Sequence, residues 1–293
     1  MKRCLACDAR FASAIRACPV CGSSPVLVDG FDAYAPELAH GSDSFHQDHF
    51  AELCRLEHGS FWFRSRNQLI LWALERYCPD FRSLLEVGCG TGYVLSAIAE
   101  KFPRATLNGS EILTVGLGCA AARLQGVRLM QMDAARMPFS EEFDVIGAFD
   151  VLEHIDDDRQ VLAQLREALK PAGLLLLTVP QHKWLWSAVD EGSCHRRRYA
   201  APDLHRKIEG GGFRIVRSTS FVATLLPVMM ASRLFRRAAA DGKLDMAAAF
   251  KVPASLNSLF ALILGAELSA IREGIDFPFG GSRLVIAQKA EAV

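Results

Sequence analysis

The chain has 293 residues, with 33 Lys and Arg, 33 Asp and Glu, and a formal net charge of zero. This balance argues against a protein that coats nucleic acid, because phosphate binding usually leaves a basic excess, although a local basic patch stays open. With 51% hydrophobic and 23% charged residues, the composition is that of a folded globular protein. The length fits one large domain, or a domain of about 200 residues with a small attachment.

Four of the nine cysteines fall in the first 21 residues: Cys4, Cys7, Cys18 and Cys21. They form two Cys-x2-Cys turns, and four thiolates match the tetrahedral coordination of zinc. Residues 1–28 therefore resemble a zinc ribbon, in which a structural Zn²⁺ lets about 25 residues fold without a hydrophobic core of their own. Iron in a rubredoxin-like site and a redox dithiol are the alternatives.

The first residues, Met1-Lys2-Arg3, lead into this Cys-rich stretch and not into the apolar core of a signal peptide. We therefore expect a cytoplasmic protein, in which clustered thiols bind metal rather than pair as disulfides. No charge-free apolar run reaches the roughly 18 to 20 residues of a membrane span.

Residues 29–63 are interpreted as a connector, and its His46 and His49 are expected to be surface or lid histidines. In residues 64–293, short apolar runs alternate with segments of helical periodicity, which predicts a parallel sheet covered by helices on both faces. The predicted strands are 83–87, 105–109, 127–131, 143–149, 174–179, 213–219 and 283–288, and the predicted helices are 93–101, 115–124 and 158–170. The stretch 221–280 is too long for a hairpin loop and is interpreted as a helical insertion.

A glycine-rich loop, Glu86-Val87-Gly88-Cys89-Gly90-Thr91-Gly92, lies between the first predicted strand and its helix. Glycines there let the backbone approach a ligand closely, and the helix N-terminus adds a favourable dipole. Acidic residues follow the next three strands. Glu111 stands where a carboxylate can accept ribose hydroxyl protons, and Asp133, next to Ala134, where one can receive an adenine amino group. Asp150 follows the fourth strand.

In combination, these motifs resemble the class I S-adenosylmethionine-dependent methyltransferases over about residues 60–220 and the last strand. The resemblance implies a Rossmann-like, seven-stranded, doubly wound α/β sheet whose last strand is antiparallel, with S-adenosylmethionine as cofactor. The resemblance implies that the methionine part of the cofactor contacts Glu86, Gly88, Gly90 and Gly92. It implies that Glu111 binds the ribose and that Asp133 and Ala134 contact the adenine. Asp150 completes the cofactor-binding set. A glycine turn in an unrelated α/β enzyme is the alternative.

The segment after the fourth strand bears on the methyl acceptor. An enzyme that methylates the exocyclic amine of a nucleobase typically has Asn/Asp-Pro-Pro-Tyr/Phe there, whereas this chain has Asp150-Val151-Leu152-Glu153-His154. This difference favours a hydroxyl or carbon acceptor. His154 is the predicted general base, because an imidazole at the strand mouth can deprotonate a hydroxyl. A structural role in capping the next turn is the alternative.

The loop after the fifth strand, from Pro180 to Tyr199, opens at the same edge of the sheet. Its pattern, P-x-H-x-W-L-W-S followed by D and H-x-R-R-Y, is similar to that of a subset of these methyltransferases. The side chains expected to line the acceptor pocket are Gln181, His182, Trp186, Asp190 and His195. The three arginines at 196–198 are predicted either to pair with a phosphate or carboxylate of the acceptor or to form a solvated basic loop.

Two apolar segments lie outside these motifs. Phe61-Trp62-Phe63-Arg64 resembles the N-terminal lid that folds over the cofactor in these enzymes, with simple packing on the sheet as the alternative. The insertion contains an apolar run broken by Pro227, then arginines at 233, 236 and 237, then a second apolar run at 260–266. An apolar helix with a basic end is typical of a membrane interface. The insertion is interpreted first as a cover of the acceptor pocket, with contact to a membrane or a lipid-linked substrate, and dimerisation, as the alternatives.

The sequence thus predicts a methyltransferase that acts, at oxygen, on a small-molecule or lipid- or glycan-linked acceptor. Peripheral contact with the inner face of the membrane through residues 221–270 is expected, and nucleic acid is not expected as a partner. The alternative is an rRNA or tRNA methyltransferase that uses its zinc ribbon to bind the nucleic acid.

Overall fold

The computed structural model describes residues 1–41, 48–238 and 252–291. The strands are β1 Lys2–Arg3, β2 Arg10–Phe11, β3 Val26–Val28, β4 Phe31–Ala33, β5 Ser83–Val87, β6 Thr106–Glu111, β7 Arg128–Gln131, β8 Phe143–Phe149, β9 Leu169–Pro180, β10 Phe213–Phe221 and β11 Ser282–Lys289. The helices are α1 Asp48–Leu56, α2 Phe61–Tyr77, α3 Tyr93–Lys101, α4 Thr114–Arg123, α5 Asp158–Ala168, α6 Ala188–Gly192, α7 Ala201–Gly210, α8 Leu226–Ala238 and α9 Ala254–Arg272.

The main sheet has the strand order β10-β11-β9-β8-β5-β6-β7-β4-β3. From β5 the chain builds outwards through β6 and β7 on one side, then crosses over to β8 and β9 on the other. β11 is antiparallel to both β9 and β10, as predicted. The doubly wound sheet of seven predicted strands is confirmed, and its order reverses at β5, which is where a ligand site is expected.

Two short strands from the start of the chain extend this sheet to nine strands. β4 pairs in parallel with β7, and β3 pairs antiparallel with β4. Three-residue strands carry too little alternation to be recognised from their sequence. Consequently Val26–Val28, which the sequence analysis assigns to the Cys-rich module, belongs to the main sheet.

Helices cover both faces of the sheet, because each face presents a separate apolar surface. On one face, residues of α2, α3, α4 and α9 pack together, including Ile70, Leu95, Leu117 and Leu264. On the other face, α5 and α7 contribute residues such as Leu165 and Ile208. Burial on both sides explains why the central strands read as continuous apolar runs.

The insertion between β10 and β11 is helical where it is described, in α8 and α9, and residues 239–251 lie outside the described residues, as do the side chains of Arg236 and Arg237. Pro227 lies in the first turn of α8, where a proline is compatible with the helix. α9 is long and apolar enough to cross a membrane by length and composition, with a mean hydropathy of 1.6 and 22% of the segment buried. The helix contains the charged residue Glu267, which is why a search for charge-free apolar runs in the sequence did not find it.

The Cys-rich module packs against the main domain through polar contacts. Arg3 donates to Gln164 Oε1 at 2.9 Å, and Arg10 pairs with Glu167 at 2.8 Å, both on α5. The main chain of Arg3 also donates to Pro138 O at 3.0 Å. The module is therefore attached near α5 and the β7–β8 connection rather than held by the chain alone.

Candidate functional site

The predicted cofactor residues meet at the carboxyl ends of β5, β6, β7 and β8. Gly88, Gly90 and Gly92 have φ values of 66°, 53° and 73°. At Gly88 a Cβ atom would stand 2.5 Å from Val151 Cγ2, so only glycine fits where the loop passes the turn after β8. At Gly92 a Cβ atom would stand 2.9 Å from Leu124 Cδ1. Close approach and backbone conformation both require glycine in this loop.

Glu111 ends β6 with its carboxylate buried beside the glycine loop. One oxygen accepts a hydrogen bond from Gly90 N at 3.0 Å, and the other accepts from Ile112 N at 2.8 Å and from Leu113 N at 3.3 Å. Burial raises the pKa of Glu111, and these backbone N–H groups oppose the rise. The orientation of the side chain is therefore fixed where the ribose contact is predicted.

Glu86, on β5, is buried, and its Oε2 has no hydrogen-bond partner among the residues that the structure describes. Burial raises the pKa of Glu86 to about 8, while the charge of Arg66 opposes the rise. A buried oxygen without a donor is costly. The ammonium group of a methionine moiety is a donor that would satisfy it.

Arg66, on α2, is a residue of this site that the sequence analysis does not predict. It forms an ion pair with Asp150 at the end of β8, and its guanidinium carbon lies 4.6 Å from the centroid of the Trp62 ring. The pair places a positive charge at the strand mouth, next to Glu86. Arg66 lies outside the glycine motif in the sequence, so no local signal identified it.

Asp133 and Ala134 follow β7 at the same edge. Asp133 is half-buried and its Oδ1 accepts a hydrogen bond from Ala135 N at 2.8 Å, and Ala134 is buried. Met132 N donates to Glu111 O at 3.1 Å, which holds the end of β7 beside the end of β6. The adenine contact stays a prediction, and these two residues lie at the predicted edge.

The glycine loop is covered by α1 and the turn that follows it. A Cβ atom at Gly116 would stand 2.7 Å from Phe50 Cε1, which shows how closely α1 packs on α4. Glu57 accepts a hydrogen bond from Thr91 of the glycine loop at 2.6 Å and pairs with Arg123 at 3.0 Å. The predicted lid, residues 61–64, instead forms the first turn of α2. His46 and the side chain of His49 lie outside the described residues.

The acceptor side of the site begins with His154, in the turn Leu152–His154 after β8. Burial and the charge of His195 lower the pKa of His154 to about 3, although hydrogen bonds with the backbone of Cys194 and Ser193 oppose this. An imidazole with so low a pKa is a weak base. At neutral pH the His154 ring is therefore uncharged. The general-base role stays a prediction.

Two of the predicted acceptor residues are buried and hydrogen-bonded within the protein. Gln181 Oε1 accepts from Ser220 Oγ at 2.7 Å. Asp190 accepts from Arg198 Nε at 2.6 Å and pairs with His195 Nδ1 at 3.0 Å. In this conformation both side chains hold the loop in place.

The other three predicted acceptor residues are partly exposed. His182, with a φ of 64°, stacks on Trp184 and on Phe279, at centroid distances of 5.1 Å and 5.7 Å. Trp186 Nε1 donates to Glu191 Oε1 at 3.3 Å. The His195 ring lies 4.8 Å from the His154 ring. The loop thus presents an aromatic rim beside a pair of imidazoles.

The three arginines at 196–198 differ in their surroundings, so as a group they match neither the predicted anion site nor the predicted solvated loop. Arg197 pairs with Asp158 at 3.1 Å, and Arg198 is buried against Asp190. Arg196 lies 3.7 Å from Asp156 and is partly exposed. Two of the three arginines therefore anchor the loop, because their charges are already paired.

Residues 56–218 match a family model described as a methyltransferase domain. The chain belongs to the S-adenosylmethionine-dependent methyltransferases. The residues at the strand mouth fit this cofactor: Glu86 offers an oxygen without a partner, Arg66 offers a cation, and Glu111 offers an oriented carboxylate.

Curated relatives share part of this methyltransferase. A protein of Mycolicibacterium smegmatis, named a probable S-adenosylmethionine-dependent methyltransferase, is 28% identical over 159 residues, which are 53% of this chain and 60% of that protein. The malonyl-acyl-carrier-protein O-methyltransferase of Halalkalibacterium halodurans is 34% identical over 104 residues, 33% of this chain and 38% of that protein. The trans-aconitate 2-methyltransferase of Deinococcus radiodurans is 32% identical over 110 residues, 36% of this chain and 42% of that protein. The matched regions thus cover less than two thirds of these relatives.

Solved structures share the fold of the methyltransferase. A phosphoethanolamine N-methyltransferase 2 of Haemonchus contortus has a TM-score of 0.56 at 18% identity and covers 85% of this chain and 59% of that one. The cyclase SpnF has a TM-score of 0.53 at 20% identity and covers 79% of this chain and 84% of its own. At these identities the comparison shows the fold alone.

The four cysteines of the methyltransferase's N-terminal module also lie together. Sγ of Cys4 is 3.5 Å from Sγ of Cys21, and Sγ of Cys7 is 3.7 Å from Sγ of Cys18. Thiolates around a tetrahedral zinc ion stand about 3.8 Å apart, as zinc–sulfur bonds of about 2.3 Å require. Gly22 follows the second pair with a φ of 75°, which closes the turn. The donor set and spacing fit zinc.

Proposed function

We propose that this methyltransferase transfers a methyl group to an oxygen atom of a small-molecule or lipid-linked acceptor. The observation that carries the proposal is the acceptor side itself: the turn after β8 presents the His154 ring beside the His195 ring, 4.8 Å away, in place of a nucleobase-amine motif. Imidazoles assist oxygen acceptors by hydrogen bonding, and one relative that the chain matches in part is named an O-methyltransferase.

Bound S-adenosylmethionine supplies a methyl group on a positively charged sulfur, so the protein mainly has to orient the acceptor and exclude water. Glu86 of β5, Glu111 of β6 and Arg66 of α2 would hold the cofactor at the carboxyl ends of the strands. The buried pair of Asp190 and Arg198 fixes the loop that carries His195. The acceptor is then positioned between the turn after β8 and this loop.

The rim of the site supports an acceptor with an apolar part. Trp184 and Phe279 are 55% and 61% exposed, and both stack on His182 at the mouth. Exposed aromatic side chains of this kind favour contact with an apolar ligand or a lipid. Because Arg197 and Arg198 are paired within the protein, this rim offers little free positive charge for a nucleic acid.

The Cys4, Cys7, Cys18 and Cys21 cluster supports a second part of the proposal, a structural Zn²⁺. Four thiolates leave no open coordination position, so the ion would stabilise the module and take no part in methyl transfer. Its role is to hold a segment that is too small for its own hydrophobic core.

The test of the acceptor class uses the labelled methyl donor with cell extracts, which are then separated into lipid, RNA, protein and small-molecule fractions. We expect label in the lipid or small-molecule fraction with the wild type and none with Gly90→Arg, whose side chain would fill the cofactor site. Gly118→Arg, at a position on α4 with open space around it, is the matched control and keeps the activity.

The labelled product then identifies the methylated atom. A methyl ester releases methanol in mild alkali, and a methyl ether is identified by mass spectrometry of the intact product. Label on nitrogen or carbon would contradict the oxygen assignment, and label confined to RNA would establish the nucleic-acid alternative.

A further inference from the structure

Three side chains with metal-ligand chemistry converge on the acceptor side of the site. Glu153 and His154 come from the turn after β8, and His195 comes from the loop between β9 and α7. Their potential ligand atoms all lie within 4.8 Å of one another. Arg196 N donates to Glu153 O at 2.7 Å, so the backbone holds the turn and the loop together.

Glu153 is the least explained member of this cluster. Its side chain is fully buried, and among the described residues neither of its carboxylate oxygens accepts a hydrogen bond from another residue. Burying a carboxyl group without such partners costs free energy, which a hydrogen-bond donor or a bound cation would offset. The position of both imidazoles next to it points to a cation.

The two histidines already have the outer contacts that metal-binding histidines use. His195 Nδ1 pairs with Asp190 Oδ1 at 3.0 Å, so Nε2 is the ring nitrogen available to an ion. Asp190 is itself fixed by Arg198 Nε at 2.6 Å. The imidazole of His154 is hydrogen-bonded to the backbone of Cys194 and Ser193. Carboxylates and backbone carbonyls in these positions orient a metal-bound imidazole.

We propose that Glu153, His154 and His195 bind a divalent transition-metal ion. Two imidazole nitrogens and one carboxylate oxygen favour Zn²⁺, Mn²⁺, Fe²⁺ or Co²⁺ over Ca²⁺ or Mg²⁺, which prefer oxygen ligands. Metal–ligand distances of about 2.0 to 2.2 Å require the three side chains to draw together slightly from their present separations. Three protein ligands leave coordination positions open.

The open positions determine what the ion does. The cluster lies on the acceptor side, between the turn after β8 and the loop that carries His195. An oxygen-bearing acceptor, such as a hydroxyl or carboxylate compound, would occupy the open positions and be held and polarised there. This role rests on the proposed oxygen acceptor, whereas binding of the ion does not.

The test measures metal binding to the resting full-length protein, without cofactor or acceptor. The chain is stripped with a chelator, titrated with Co²⁺, and analysed for bound cobalt and visible absorbance. The wild type is expected to bind one ion that Glu153→Gln and His195→Gln each weaken at least tenfold, in addition to any cobalt held by the cysteine cluster. Cobalt–thiolate absorbance identifies the cysteine-bound ion separately.

Glu75→Gln and His205→Gln, which change the same residue types outside the cluster, are the matched controls and should bind cobalt as the wild type does. A wild type that binds cobalt only through thiolates overturns the proposal, as does unchanged binding in both cluster variants. If either variant fails to fold, the wild-type stoichiometry and the other variant decide. Because no methyl transfer is measured, failure here leaves the proposed function standing, and failure of the extract assay leaves this site standing.

Discussion

At the scale of single residues, the cofactor side of the site is a set of charges that the fold buries. Glu86 lies behind the glycine loop with one oxygen that has no partner among the described residues, and Arg66 pairs with Asp150 beside it. Leaving a carboxylate in this state costs free energy of folding, which binding of a cationic group would offset. This arrangement thus lowers the folding stability of the free protein and favours the protein with its cofactor bound.

We expect Glu86→Gln to weaken S-adenosylmethionine binding about tenfold, or about 1.4 kcal/mol, because the amide keeps the shape but loses the charge. The same change should raise the melting temperature of the free protein at neutral pH, because burial raises the pKa of Glu86 to about 8 and folding therefore requires its carboxylate to take up a proton, which an amide does not need. Isothermal titration calorimetry and thermal unfolding measure the two effects. Glu75→Gln, on the outside of α2 where Glu75 pairs with Lys101, should change neither. Equal affinities of Glu86→Gln and wild type would contradict the assigned contact.

At the scale of elements, the loop between β9 and α7 is held by buried ion pairs. Asp158, in the first turn of α5, accepts hydrogen bonds from Tyr199 Oη at 2.8 Å and from Arg197 at 3.1 Å, and pairs with Lys207 of α7. Burial opposes ionisation of Asp158, but the hydrogen bonds from Lys207 and Tyr199 outweigh it and lower its pKa. This carboxylate connects α5, α7 and the acceptor loop.

A group with a lowered pKa contributes stability above its unfolded pKa, about 3.9 for Asp, and loses it as the pH falls through the folded value. Asp158→Asn should therefore cost about 2 kcal/mol at pH 7 and make unfolding less sensitive to acid below about pH 4. Urea unfolding at pH 7 and at lower pH measures both. Asp203→Asn, which removes an exposed partner of Arg206, is the control. The same acid sensitivity in wild type and Asp158→Asn would refute the explanation.

α9 has two different faces. Leu264, Leu268 and Ile271 are buried on the side of α2, whereas Leu259 and Leu262 are 48% and 72% exposed. An exposed apolar face of this kind on a helix is typical of contact with a membrane or a partner. It supports the proposed contact with a lipid surface.

We expect the wild type to co-sediment with vesicles that contain anionic lipid, and Leu259→Glu with Leu262→Glu to reduce the bound fraction several-fold, because charged residues do not insert into the acyl region. Val216→Glu, at a comparably exposed position on β10, is the matched control and should bind as the wild type does. Failure of the wild type to bind vesicles would rule out this contact.

At the scale of the whole molecule, the N-terminal module is joined to the enzyme in two ways. Arg3 and Arg10 contact α5, and the chain continues into β3 and β4, which complete the edge of the main sheet. The folding of the cysteine cluster is therefore coupled to the packing of the main domain. A metal ion in the cluster would stabilise the whole chain and not only its first residues.

Cys18→Ser should lower the zinc content by one ion per chain and lower the melting temperature, because a structural zinc site contributes folding free energy directly. Elemental analysis and calorimetric unfolding test this together. Cys54→Ser changes a partly buried cysteine on α1 outside the cluster and should leave the zinc content unchanged. A protein that folds stably with these four cysteines and no bound metal would overturn the zinc proposal.

The strands, the glycine loop and the acids at strand ends could be predicted from the sequence, because each depends on residues that are close together in the chain. Short apolar runs identified β5 to β11. The parallel alternation of strands and helices then determined the edge of the sheet at which the site lies.

Only the tertiary structure decided which partners these side chains take. Arg66 reaches Asp150, Asp158 contacts Lys207, and Glu153 lies near His195, across separations of 84, 49 and 42 residues along the chain. The arginines at 197 and 198 read as a basic loop but are paired inside the protein. Local patterns determine elements because they act within a few residues, whereas ion pairs and metal clusters depend on how distant elements pack.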